Sequence, residues 1–373
     1  MMSANKIVSP PKSTLFKMKE KYLTSTDGLY RVNYNEVKSV CISGSLYALM
    51  QYLLLFDEDV TTRHTCYFLG YGVSRDVSAQ LPAIHIGMQQ TGTIWTPGRW
   101  WDKIWLRLSK NWRYPFLKTA RIYALDLGFA SPLIGRKNYS LLSDGPLCMS
   151  QNMQPTSAGY QHQVRKHRTL TGRMEGLLYG PVAISTWGNN PQCKEFFMTE
   201  ENVSPVFGNR PVHIRSLDDL WHSATDRQRA LVRRVYAVGN DDVNLLNSKS
   251  VVFLTQPMIK DRILDESEYL DLLRRIFSHY DMSHMLLKLH PRDNFDYRRY
   301  FPEVAIYDKP VNMQLLVLLG TNVTRAVTIC SSSVNSFPES VEVDWYGPDV
   351  HPKVRIFFCG TVVPNRTYNQ MTL

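Results

Sequence analysis

Apolar residues fall in short runs that alternate with amphipathic stretches. The first clear unit is VKSVCISGSLYALMQYLLLF (37–56): an apolar strand from Val37 to Ile42 enters Ser43-Gly44-Ser45, after which Leu46, Leu49, Met50 and Leu53 recur at helical spacing. Strand-like runs follow at TCYFLGYGV, AIHIG, RIYALDLGF and YSLLSDG. From about residue 150 to 245 the rhythm breaks into polar and basic patches such as QHQVRKHRTLTGR and a charged, helix-like SLDDLWHSATDRQRALVRRVYAV. Regularity returns at residue 250. SVVFLTQP reads as a strand, and DESEYLDLLRRIF as a helix with Asp265 as N-cap and Glu268 three residues later. MLLKLHP and VAIYDKP read as strands, NMQLLVLLG as a helix capped by Asn312 and Gly320, and AVTICSSS and VRIFFCG as two further strands.

Alternating strands and helices predict α/β architecture with mostly parallel sheets. The expected organisation is a polar basic arm at 1–35, a Rossmann-like domain at 36–150, an irregular insertion or connection at 151–245, and a second, doubly wound Rossmann-like domain at 246–373. No internal repeat or low-complexity tract is present.

Composition narrows the class. A chain of 373 residues with 44% hydrophobic and 12% aromatic content can pack a core in each of two domains. No run approaches the ~18–20 apolar residues of a membrane span, and the N-terminus lacks an apolar signal-type block, so secretion and a transmembrane anchor are not expected. Six cysteines without a CxxC pair indicate free thiols in a reducing compartment and no structural zinc. The net charge of +10 and pI near 9.2 favour a polyanionic or phosphorylated partner.

In open parallel sheets, ligands bind beyond the carboxyl ends of the strands. Three such junctions in the second domain carry candidate chemistry: Gln256-Pro257, His290-Pro291 and Ser331-Ser332-Ser333. A serine run at a helix N-terminus offers hydroxyls and N–H groups to a phosphate, and His290 can donate to a phosphate oxygen or protonate a leaving phosphate. Pro291 would fix the turn, while Lys288 and Arg292 raise the local potential. The same spacing is equally consistent with a structural histidine and simple caps. A second pair, His351-Pro352, precedes its expected strand and so is expected at the opposite edge, with no role. In the first domain, Asp144-Gly145 follows an apolar strand, so Asp144 could take a proton from an acceptor hydroxyl, although Asp-Gly is also an ordinary turn. Ser43-Gly44 is a weaker junction of the same kind.

At these residues the chain resembles glycosyltransferase family 52, with motifs shared by bacterial polysialyltransferases and multifunctional sialyltransferases. Those enzymes carry an acidic-acidic-Gly motif, a His-Pro motif and a Ser-Ser or Ser-Thr pair; here the counterparts are Ser143-Asp144-Gly145, His290-Pro291 and Ser331–Ser333. FLTQP and SGSLYALMQYLLL strengthen the likeness. The resemblance implies a GT-B fold, two facing Rossmann-like domains with an interdomain active-site cleft. It implies a metal-independent, cofactor-free, inverting sialyltransferase moving sialic acid from CMP-sialic acid to a terminal sugar of a bacterial surface glycan, lipooligosaccharide, lipopolysaccharide or capsule. His290 would protonate the CMP phosphate, Gln256, Pro257, Pro291 and Ser331 to Ser333 would line the donor, and Asp144 would be the base, with Ser43, Gly44, Ser143 and Gly145 on the acceptor side. The resemblance also implies a homodimer. Ser143 stands where the family has its first acid, so the base is Asp144, another carboxylate such as Asp126, or the acceptor differs. Transfer of CMP-Kdo or a nucleotide-hexose, or a non-catalytic polyanion-binding scaffold, remain the alternatives.

TIWTPGRWWDKIWLRLSKNWRYPF interleaves Trp95, Trp100, Trp101, Trp105 and Trp112 with Arg99, Lys103, Arg107, Lys110 and Arg113. This suits peripheral contact with an anionic membrane, at the cytoplasmic face of the inner membrane for a lipid-linked acceptor, or packing against the first domain or a partner subunit. No motif supports nucleic-acid binding.

Overall fold

The computed structural model describes residues 22–26, 28–70, 72–86, 97–145, 153–201, 204–358, 364 and 366–373, with side chains left aside at 97–102 and 158. A short antiparallel hairpin, β1 (Tyr22–Thr24) and β2 (Arg31–Asn33), lies inside the stretch expected to be a loose arm. Seven parallel strands follow in the first sheet: β3 (Ser39–Ser43), β4 (Thr65–Leu69), β5 (Ala83–His85), β6 (Arg121–Ala124), β7 (Tyr139–Leu142), β8 (Cys193–Met198) and β9 (Val212–Ile214), in the order β5-β4-β3-β6-β7-β8-β9. Every residue of β3, β4 and β7 is buried, as the near-continuous apolar runs require of a sheet covered on both faces. The stretch 151–245, read as irregular from its polarity, supplies β8 and β9.

The second sheet is also parallel: β10 (Val251–Leu254), β11 (Met285–Lys288), β12 (Ala305–Tyr307), β13 (Arg325–Thr328), β14 (Glu342–Trp345) and β15 (Asn369–Gln370), ordered β12-β11-β10-β13-β14-β15. Its helix Glu266–Phe277 carries the expected capping box, with the Glu268 amide donating to Asp265 Oδ1 at 2.9 Å and the Asp265 amide to Glu268 Oε2 at 3.1 Å. Helix Met313–Leu318 is present, but the Asn312 side chain makes no cap bond, and Gly320 follows in the left-handed region at φ +90°. A further expectation fails. VRIFFCG is not a strand: Pro352–Phe357 is a helix with Pro352 in its first turn. The last two strands are instead β14 and β15.

Helix Leu46–Leu55 is almost wholly buried, between the first sheet and helix Asp226–Val235, and the Tyr236 hydroxyl donates to the Leu46 carbonyl. Helix Asn240–Asn247 then leads into β10. Its buried Asp242 accepts from Lys309 Nζ at 2.7 Å, and the same ammonium donates to the Ala237 carbonyl at 3.0 Å, which ties the connection to the loop after β12. Cys41, Cys66, Cys193 and Cys330 are free thiols; Cys148 and Cys359 lie outside the described residues.

Asp344 on β14 is fully buried, accepting from Arg325 Nη1 at 2.9 and 3.1 Å, the Tyr280 hydroxyl at 2.8 Å and Asn369 Nδ2 at 2.9 Å. It thus joins three strands to the helical layer. Asp344→Ala strands the Arg325 charge and the Tyr280 hydroxyl, and is expected to lower the unfolding free energy by about 3 kcal/mol in urea titration. A change under about 1 kcal/mol would mean that the network is not part of the folded state.

Candidate functional site

Each sheet reverses its strand order once, between β10 and β13 in the second and between β3 and β6 in the first. Such reversal points open a crevice at the carboxyl edge. In the second sheet, Leu254 on β10 pairs with Lys288 on β11 and Thr328 on β13, so the residues that follow emerge together. Side chains then stitch the loops. Thr255 Oγ1 accepts from the His290 amide at 2.9 Å, Gln256 Oε1 accepts from the Cys330 amide across the reversal point at 3.0 Å, and Thr328 Oγ1 accepts from the Ser331 amide at 3.0 Å. The three expected junctions therefore do meet. Gln256 and Pro257 are buried beneath them, so Gln256 acts on backbone and Pro257 shapes the turn into Met258.

His290 Nδ1 accepts from the Arg292 amide at 3.1 Å across the exposed Pro291. That bond fixes the tautomer: the ring hydrogen sits on Nε2, leaving it as a donor. Burial, reinforced by the Arg292 and Lys288 cations, pulls the His290 pKa down to about 4, so the imidazole is neutral at neutral pH. Arg292 is held by Asp261 in a two-pronged pair at 2.8 and 3.0 Å, which pins the loop after β11 to the loop after β10. Lys288 is buried; its Nζ donates to the Leu289 and Lys309 carbonyls at 3.0 and 3.2 Å, and burial lowers its pKa to about 8. It contributes field, not a free hand for a ligand.

The serines cap a five-residue 3-10 turn, Ser332–Ser336, instead of a full α-helix, so any dipole there is that of a single short turn. Ser331 Oγ accepts from the Ser333 amide at 3.3 Å. The Ser332 and Ser333 hydroxyls make no hydrogen bond among the described residues, and Ser332 is exposed. A neutral histidine donor and free hydroxyls on adjacent loops are a suitable set for phosphate oxygens.

His351 corrects its expectation. It lies after β14, whose carboxyl end shares the edge of β13, and caps the helix Pro352–Phe357 with Nδ1 accepting from the Lys353 amide at 3.2 Å. The two His-Pro pairs share the bond from the amide two residues on to Nδ1, but His351 opens a helix whereas His290 opens a turn closed by the Asp293 amide on the His290 carbonyl.

In the first sheet, Ser45 caps helix Leu46–Leu55, accepting from the Tyr47 amide at 3.1 Å, and the buried Ser43 hydroxyl donates to the Ser45 carbonyl at 2.8 Å. Gly44 has no room for a side chain: a Cβ would meet the Phe129 ring at 2.7 Å, while a Cβ on Gly72 would lie 1.9 Å from the Gly44 carbonyl oxygen. At the end of β7, Ser143 is buried, its amide donating to Gln51 Oε1 at 2.9 Å and its hydroxyl accepting from the Gly145 amide at 3.2 Å. Gly145 is left-handed at φ +92°, which favours glycine. Of this motif only Asp144 is partly exposed.

The neighbouring strand adds residues that the polar reading of 151–245 conceals. β7 and β8 pair at Leu142 and Phe197, so Thr199 and Glu200 emerge beside Ser143 and Asp144. The Tyr47 hydroxyl donates to Thr199 Oγ1 at 2.8 Å, and burial together with the charges of Glu200 and Asp144 pushes its pKa well above the usual range. Glu200 is an exposed residue, yet packing around its carboxyl raises its pKa too. Two carboxylates thus stand at the ends of adjacent strands. Asp126, in contrast, is fully buried and accepts from the Tyr139 hydroxyl at 2.5 Å and the Trp187 and Gly188 amides at 2.6 and 2.7 Å. It braces a turn in which Trp187 and Gly188 both have positive φ, and no substrate can reach it.

A 2,6-sialyltransferase from Photobacterium sp. JT-ISH-224, solved with CMP and lactose, is similar over 82% of this chain and 71% of its own, at 11% identity and a TM-score of 0.53. The GT-B domain of a Photobacterium damselae sialyltransferase aligns over 84% of this chain and 92% of its own, at 13% identity and a TM-score of 0.49. The fold is thus GT-B, as expected. An uncharacterised Haemophilus influenzae protein is 30% identical over 173 residues, 46% of this chain and 56% of that protein, so the match spans little more than half of its length. The model of glycosyltransferase family 52 matches residues 131–354, more than half of the chain, and the protein belongs to that family.

Proposed function

We propose that the protein is a metal-independent, inverting sialyltransferase that moves sialic acid from CMP-sialic acid to a terminal sugar of a bacterial surface glycan. The observation that carries this reading is the junction of His290, Gln256 and Ser331 at the strand reversal of the second sheet, with the His290 Nε2–H turned into a donor. Loss of CMP from the sugar leaves an oxocarbenium-like centre, and the departing phosphate needs donors more than it needs a metal. His290 donates from Nε2, and the Ser331 to Ser333 hydroxyls hold the remaining oxygens. As charge builds on the departing phosphate, the hydrogen bond from Nε2–H strengthens while the imidazole itself stays neutral. Across the cleft, Asp144 takes the proton of the acceptor hydroxyl, and Glu200 beside it is the second carboxylate within the same group. A lipid-linked acceptor would make the enzyme peripheral at the cytoplasmic leaflet.

His290→Ala is expected to lower kcat by about 100-fold or more with little change in thermal midpoint, whereas His351→Ala removes only a cap, costing about 1 kcal/mol of stability with turnover retained. Comparable turnover losses in the two variants would sink the phosphate role of His290. Asp144→Asn should depress kcat by at least about 100-fold and Glu200→Gln by less, measured on a soluble acceptor; the reverse order would move the base to Glu200.

Protonation supplies an independent check. A histidine whose folded pKa lies near 4, against 6.5 unfolded, contributes stability that is intact above pH 6.5 and lost as pH falls through that window. In NMR titration His290 should therefore titrate near 4 in the free protein and higher with CMP bound. Calorimetry with CMP, UMP, UDP and GDP in the presence of a chelator should select CMP. Tight UDP or GDP binding would overturn the donor, and binding of none would favour a non-catalytic scaffold.

A further inference from the structure

Two neighbouring helices of the first domain leave apolar stripes in solvent. On Pro97–Arg113, Trp105, Leu108 and Trp112 are 54, 73 and 65% exposed, at spacings that put them on one face. On Leu170–Tyr179, Leu170, Met174 and Leu177 are 75, 49 and 66% exposed, again on one face. Single exposed leucines are ordinary, but two stripes on adjoining helices are not. The helices do adjoin: Arg107 Nη1 donates to the Leu177 carbonyl at 2.6 Å, and the Lys103 ammonium lies 5.6 Å from the Tyr179 ring centre. Trp95 lies outside the described residues, as do the side chains of Arg99, Trp100 and Trp101.

Charge identifies the occupant. Arg113 ends the first helix, Lys103 and Arg107 sit where the two helices meet, Arg173 lies on the second helix, and Arg165 and Arg168 lie at the end of the helix before it. Across 103–113 and 158–179 the one carboxylate is Glu175, which is ion-paired with Lys166. A second copy docking through the same face would bring these cations together, whereas a negatively charged surface would neutralise them. No helix among the described residues is long and apolar enough to cross a membrane, so the fit is to a helix pair lying on a bilayer.

We propose that this two-helix face docks on an anionic lipid bilayer, with Trp105, Leu108, Trp112, Leu170, Met174 and Leu177 entering the boundary between headgroups and acyl chains and the nearby cations meeting phosphates. The inference deepens the peripheral reading above and assigns its second half to helix Leu170–Tyr179. It rests on exposure and charge and does not depend on the donor.

The test is flotation of the full chain with vesicles of phosphatidylcholine alone and of phosphatidylcholine with phosphatidylglycerol, read together with the tryptophan emission maximum. Binding to the anionic vesicles, a blue shift on binding and weakening by salt are expected. Trp105→Ser with Trp112→Ser, and separately Leu170→Ser with Leu177→Ser, should each lower partitioning at least about tenfold while circular dichroism and turnover on a soluble acceptor stay unchanged. Equal binding to the neutral vesicles, no effect of the leucine pair, or a dimer that these substitutions dissociate would overturn the proposal. Failure of the transferase reading would appear instead as absent turnover in a protein that still floats.

Discussion

Side chains from two neighbouring strand ends hold the backbone where the second sheet reverses its order. Thr255, Gln256 and Thr328 each take one main-chain N–H from a loop that would otherwise leave it unsatisfied, and those amides belong to His290, Cys330 and Ser331. Thr328 in turn donates to the Leu254 carbonyl at 3.1 Å, closing the web across β10 and β13. The aim of the imidazole, the lie of the serine turn and the burial that keeps His290 neutral all descend from these bonds. Parallel pairing makes the web available, because only parallel strands deliver all their carboxyl ends to one edge.

The first sheet solves a different problem. The position that carries the first acid in related motifs holds Ser143, which is buried against Gln51 and Gly145. A carboxylate there would meet a low-dielectric layer containing Tyr47 and Thr199, and its desolvation would be costly. The serine removes that cost and leaves Asp144, with Glu200 on the neighbouring strand, as the carboxylates at these two strand ends. The hydroxyl chain from Tyr47 through Thr199 to Ser143 keeps the two strand ends in register with the helix behind them.

Much of this was legible in the pattern of residues. VVFL, MLLK and AVTIC announce buried parallel strands, and DESE announces its capping box, because burial on both faces and local capping leave signatures within a few residues. The edge position of His290 followed from the strand before it. Other elements depend on partners far along the chain. Asp344 makes β14 look polar until Arg325 and Tyr280 are seen to neutralise it. CKEFFM reads as one more charged patch, although Glu195 accepts from the Ser140 hydroxyl on β7 and from Arg121. Glu200 goes unnoticed for the same reason, since a junction is invisible until its strand is recognised. VRIFF has strand composition, but His351 as cap with Pro352 in the first turn makes it helical, a signal that was present in the residues.

The close approach of Gly44 and Gly72 has a consequence for how this family member can change. Beneath Ser43–Ser45 the loops after β3 and β4 touch main chain to main chain, with no space for a methyl group on either glycine. That part of the first domain's edge is therefore held by backbone and by the Phe129 ring against it, and neither glycine can gain a side chain without displacing them. Under the proposed function, a library built to alter acceptor preference should leave the glycine floor untouched and randomise the side chains around it, Tyr47, Asp144, Thr199 and Glu200.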